Sequence, residues 1–268
     1  MKRGPYGFEL STPLWGAKAM PPSMKADFYV HNIFLPSFFS GRLMKNIKIS
    51  LASLLLVPFF SMASMTVVKN DTVNNVDIDV AKILYVGGVD EAKVVELISA
   101  IDEINIKYKN TRKIFLYINS SGGDMDSGYM AYEAVRNSTI PIVTVNASMT
   151  GSSATMMYCG AKERLMMSGA YFLLHPAATA NKGFDYLKPD VINNLHEEVV
   201  AYNKMFFDIY KECTEFSTTE IEQFLNNEGA RKRMDYKSSL LVKLSSGVSM
   251  GFVPAPVVYY ISDQKPNN

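Results

Sequence analysis

Apolar residues follow no sustained period over residues 1–43, a stretch interrupted by Pro5, Pro13, Pro21, Pro22 and Pro36. From Lys82 the pattern becomes regular. Residues 83–86, ILYV, make a short β-type run that stops at Gly87-Gly88. Val94, Leu97, Ile98, Ile101 and Ile104 then recur at helical spacing. Residues 113–118, KIFLYI, predict a buried strand closed by NSSGG. A helix over 127–136 and a strand over 141–145 follow. Residues 164–167 and 171–174 read as further strands, and the second of these delivers His175-Pro176. A long amphipathic helix over 189–210 carries Ile192, Leu195, Val199, Tyr202, Phe206 and Ile209 on one face. Ser217-Thr-Thr-Glu220 has the form of a capping box opening another helix.

Strands alternating with helices imply crossover connections, an α/β fold and a largely parallel sheet. Sites in such sheets form beyond the carboxyl ends of the strands. Two stretches of small residues fall at such ends, SSGG at 120–123 and TGSS at 150–153.

Composition narrows the function classes. The 268 residues suffice for one α/β domain with an extension, and a net charge of +1 gives no field that favours nucleic acid. Cys159 and Cys213 suit neither a disulfide framework nor a zinc site, and Cys159 is expected to be buried and inert. His31, His175 and His196 are too few for a histidine-rich metal cluster. Residues 44–63, MKNIKISLASLLLVPFFSMA, combine Lys45 and Lys48, an apolar run and small residues at Ser61 and Ala63. That is the form of a secretory signal starting at Met44, with 1–43 as an upstream extension. The alternative is a retained membrane anchor, since no charge occurs over 49–68. Either places the folded part outside the cytoplasm. The expected organisation is therefore a linker at 64–81, a folded domain at 82–250 and an irregular tail at 251–268.

Acyl transfer needs a nucleophile, a base and donors for the developing oxyanion. Ser152 before a helix, His175 at a strand end and the unhindered amides around Gly122-Gly123 could supply them. The residues alone leave this open: a serine before a helix is also an N-cap, and Gly-Gly after a strand is also a turn.

Motifs in order carry more weight. YINSSGGDMDSGYMAYEAV at 117–135, SSAT at 152–155, GAK at 160–162 and FLLHPA at 172–177 resemble the proteolytic subunit of the Clp protease, peptidase family S14. The resemblance spans residues 82–244. It implies a crotonase-like spiral of repeated ββα units with a protruding handle helix, no cofactor and no metal. It also implies a homo-oligomeric ring acting on unfolded polypeptides or peptides, with an AAA+ unfoldase as partner only for a cytosolic product. Position by position, it makes Ser152 the nucleophile, His175 the general base, and the Gly123 and Ser153 amides the oxyanion hole.

The chain departs from the family pattern in places. Ser152 reaches the nucleophile position only with a one-residue deletion before Gly160; without it, Gly151 falls there. Ser121 replaces a proline. The acidic third member is Glu228, nearer the expected place, or Asp235. These features predict an exported serine endopeptidase independent of an ATPase. The alternatives are an inactive assembly or binding protein and a crotonase-type acyl-CoA enzyme.

Overall fold

The computed structural model describes residues 64–69, 78–180 and 186–263, and the folded unit they form contains one mixed sheet. The proposed extension and signal, residues 1–63, lie outside the described residues. Among the described residues, no helix is long and apolar enough to cross a membrane.

The strands are β1 (Ser64–Lys69), β2 (Val80–Val86), β3 (Lys113–Ser120), β4 (Ile142–Gly151), β5 (Glu163–Met167), β6 (Tyr171–Leu174), β7 (Lys232–Met234), β8 (Gly247–Ser249) and β9 (Val257–Ser262). The helices are α1 (Glu91–Lys107), α2 (Met125–Arg136), α3 (Ala154–Cys159), α4 (Pro189–Cys213), α5 (Thr218–Asn226) and α6 (Tyr236–Leu241). The strand order is β1-β9-β2-β3-β4-β5-β8, with β6 pairing β4 and β7. All pairs are parallel except β1 with β9 and β6 with β7, so the sheet is largely parallel as the sequence predicts.

One division of labour along β4 creates the site. Its first half, Val143 to Asn146, pairs with β5, whereas Met149, Thr150 and Gly151 pair with β6. The strand therefore changes neighbours just before it ends. Its last residues lie beside the strand that leads into His175.

The helices cover one face of the sheet. Val94, Leu97, Ile101 and Ile104 of α1, the whole of α3 and Phe206, Ile209 and Tyr210 of α4 are buried there. Each such aliphatic side chain contributes roughly 1.5–3 kcal/mol on burial. Tyr117, Val143 and Val145 face the other way, where Phe252 packs against Tyr117 with ring centroids 4.7 Å apart. The Tyr117 hydroxyl donates to the Gly251 carbonyl at 3.2 Å and accepts from the Val253 amide at 2.7 Å.

Three expectations are corrected. Part of the supposed linker is strand β1, paired antiparallel with β9 from Ser64↔Ser262 to Lys69↔Val257. The supposed irregular tail contains β9, which enters the sheet between β1 and β2. Pro254 and Pro256 end just before it, and the run VVYYI behind them is β-branched and aromatic with Tyr259 and Ile261 fully buried. Buried Lys93, paired with Asp90 and Asp263, fastens the end of β9 to α1. Finally, Cys159 and Cys213 form a disulfide, joining the end of α3 to the end of α4. Their separation of 54 positions hid the pairing, which only the packing of α3 on α4 brings about.

Candidate active site

Ser152 is the first residue after β4, and its backbone is held from both sides. Its amide donates to the Leu173 carbonyl of β6 at 3.0 Å. Its carbonyl accepts from the Thr155 amide at 2.9 Å and the Thr155 hydroxyl at 2.6 Å. Between these ties the residue adopts φ +51°, a left-handed conformation that L side chains rarely take. Strain of this kind persists only where neighbours over-determine the backbone. The Ser152 side chain is partly exposed, whereas Ser153 is fully buried.

Gly122 lies directly against this turn. It has φ +98°, and a Cβ there would come within 2.5 Å of the Ser152 Cβ and 2.8 Å of the Gly151 carbonyl oxygen. Only glycine fits so close an approach. At Gly123 a Cβ would meet the Val89 carbonyl oxygen at 2.2 Å. The loop is anchored on that side by Val89, whose amide donates to Gly122 at 3.0 Å and whose carbonyl accepts from Asp124 at 2.9 Å.

The Gly123 amide donates to the Ser153 hydroxyl at 2.8 Å. Of the two oxyanion donors expected from the sequence, the Gly123 amide is thus engaged by a side chain. The Ser153 amide lies at the start of α3, where helix amides have no intrahelical acceptor.

His175 follows β6 immediately and is 24% exposed. Because Gly151 is in register with Leu173 on the adjacent parallel strand, Ser152 and His175 leave neighbouring strands at the same edge of the sheet. The loop beyond His175 hangs on α4: the Ala177 amide donates to Asn203 Oδ1 at 2.8 Å, and Asn203 Nδ2 donates to the Leu225 carbonyl at 3.0 Å. Glu228 opens the short 3₁₀ turn Glu228–Ala230, and its Oε2 lies 3.7 Å from His175 Nδ1. Asp235, the other acidic candidate, instead accepts from the Ser238 amide at 2.9 Å as the N-cap of α6. These capping bonds hold its carboxyl below the usual aspartate range.

The structure thus brings Ser152, His175, Glu228 and both expected donors to one rim, and takes Asp235 away to a cap. Sequence reasoning missed the residues behind them. Thr155, bonded to Ser152, also hydrogen-bonds the buried Tyr210 hydroxyl at 2.6 Å, and burial raises the Tyr210 pKa. Arg164 donates to the carbonyls of Ala161, Cys213, Lys243 and Leu244 at 2.8–3.0 Å, tying the end of α4 to the chain after α6. Burial lowers its pKa. No short motif marks the contacts of Thr155 with Tyr210 or of Arg164 with Cys213, Lys243 and Leu244, because these join residues 49 to 80 positions apart.

The family model for Clp protease matches residues 68–237, more than half of the chain. The ATP-dependent Clp protease proteolytic subunit of Mesostigma viride is 26% identical over 150 residues, covering 55% of this chain and 63% of the relative. The corresponding subunit of Chlorokybus atmophyticus is 30% identical over 105 residues, covering 38% and 46%. Proteolytic subunit 2 of Pseudomonas aeruginosa is 25% identical over 138 residues, covering 50% and 65%. The chain therefore spans less than two thirds of the length of these curated relatives. A solved ClpP1 mutant from Listeria monocytogenes shares the fold with a TM-score of 0.54 at 13% identity, covering 63% of this chain and 90% of that one.

Proposed function

Because the chain belongs to the Clp protease family, we propose that it is a serine endopeptidase that cleaves unfolded chains or peptides through an acyl-enzyme. The observation that carries this reading is the pairing of Gly151 with Leu173, which leaves a strained, accessible Ser152 beside the strand that leads into His175, whose Nδ1 faces Glu228. In this mechanism Ser152 Oγ attacks the scissile carbonyl and its proton passes to His175 Nε2, since Nδ1 faces Glu228. The oxyanion accepts from the Ser153 amide and from the Gly123 amide, which the Ser153 hydroxyl releases as the substrate oxygen arrives. His175 then protonates the leaving amine, and water hydrolyses the acyl-enzyme by the reverse use of the same base.

Ser152→Ala should remove essentially all peptide hydrolysis while leaving the circular dichroism spectrum unchanged, because no core residue is touched. Full activity in that variant, with loss in Ser153→Ala or Ser148→Ala, overturns the assignment. The engaged Gly123 amide favours one alternative, an inactive assembly or binding protein. Wild-type protein with no hydrolysis would point there.

The compartment and partners belong to the same proposal. A signal at 44–63 and a disulfide between Cys159 and Cys213 both suit an oxidising, extracytoplasmic setting. Such a compartment lacks ATP, so an AAA+ unfoldase could not drive this peptidase, and its substrates must arrive already unfolded. The N-terminal part of α4 leaves Ile192 and Val200 half exposed on a long helix whose buried residues begin at Phe206. A second copy covering this helix, within a homo-oligomeric ring, is the proposed assembly.

A further inference from the structure

Glu228 faces two partners at once. Its Oε2 lies 3.7 Å from His175 Nδ1, while its Oε1 accepts from Arg231 Nη1 at 3.1 Å. The turn that holds it is itself closed by Arg231, whose amide donates to the Glu228 carbonyl at 3.2 Å. At the other end, Asn227 Oδ1 accepts from the Gly229 amide at 2.8 Å. Arg231 is thus tied to Glu228 through both main chain and side chain.

The strand after the turn explains why Arg231 is near the base. β7 runs antiparallel to β6 with Leu174 opposite Lys232 and Leu173 opposite Arg233. Continuing that register by one position sets Arg231 across from His175. Side chains alternate along a strand. Lys232 packs over the Phe216 ring and Met234 is buried, whereas Arg233 lies over Tyr171 with its Cζ 4.0 Å from the ring centroid. Arg233 therefore shares a face with Tyr171 while Lys232 lies on the Phe216 side, and Arg231, two positions before Arg233, continues the Arg233 side.

We infer that Arg231 is a positioning residue for the proposed catalytic pair, holding the Glu228 carboxylate within reach of His175. A gap of 3.7 Å is too long for a hydrogen bond, so the imidazole alone does not fix this exposed carboxylate in the resting chain. A single charge-assisted hydrogen bond from the guanidinium to one oxygen restricts the rotation of the carboxylate and leaves the other oxygen facing Nδ1. Substrate binding then has a short distance to close rather than a free side chain to capture.

This inference rests on the peptidase reading, and three variants separate the two. With a fluorogenic peptide as substrate, Arg231→Gln should lower kcat on the order of 10- to 100-fold, as misplacement of a catalytic group does, with KM within about twofold of wild type. Arg231→Lys, which restores the charge, should recover most of the lost kcat. Glu228→Gln should be at least as impaired as Arg231→Gln. Wild-type kcat in Arg231→Gln, or equal impairment in Arg231→Lys, overturns the positioning role while an impaired Glu228→Gln leaves the peptidase reading standing. Wild-type kcat in Glu228→Gln overturns both the role of Glu228 and that of Arg231.

Discussion

Ser152 and Ser153 are adjacent serines with different tasks, and only the backbone distinguishes them. Ser152 bends into the left-handed region and keeps an accessible side chain, whereas Ser153 is helical, buried and bonded to Gly123. The sequence supplied both hydroxyls, but which one faces solvent depends on the pairing of β4 with β6. The same holds for the acidic residue. The sequence favours Glu228 over Asp235 only by its nearness to the expected place; in the fold the turn before β7 holds Glu228 facing His175, and α6 takes Asp235 as its cap. Glu228→Ala should lower turnover by several orders of magnitude, as loss of an orienting carboxylate does. Asp235→Ala should leave turnover intact and loosen only the start of α6. Steady-state assays of the two purified variants check this, and the opposite ranking would reassign the carboxylate.

At the scale of elements, α3 is the short helix on which the site depends. Thr155 and Cys159, one turn apart, fasten it to Tyr210 and Cys213 of α4. The helix after the candidate nucleophile is therefore clamped at both ends to the helix that projects from the domain. Closing a loop across 54 positions stabilises the fold by about 4 kcal/mol in the chain-entropy account. Replacing both cysteines by alanine should lower the midpoint of denaturant unfolding by a corresponding amount, and wild-type protein under dithiothreitol should shift likewise. An unchanged midpoint would mean that the pair is not joined in solution. Elements with a strong local period were legible in the sequence: α1, β3, α2, β6 and the capping box of α5 appear where the pattern puts them. β7 and β8 were not, since three-residue strands carry no period. β1 and β9 were missed because their partners are remote in sequence: β9 pairs with both β1 and β2, across almost the whole domain.

For the whole molecule, the family and the α/β architecture were legible from ordered motifs, whereas the entry of residues 64–69 and 257–262 into the sheet was not. If the signal is removed after Ala63, the mature chain begins at Ser64, the first residue of β1, already paired with Ser262. Both ends of the mature domain would then be tied into one sheet edge. The central claim, an accessible serine activated within the oxidised protein and without ATP, has a direct measurement. The extracytoplasmic fraction is treated with a fluorophosphonate probe without nucleotide, and the adduct is mapped by mass spectrometry of the digested protein. The account predicts one adduct per chain, on Ser152, in a protein that runs as an oligomer and whose labelling His175→Ala greatly slows. An adduct on Ser153 or Ser148, no adduct at all, or labelling confined to a cytosolic form with ATP and an unfoldase would contradict it.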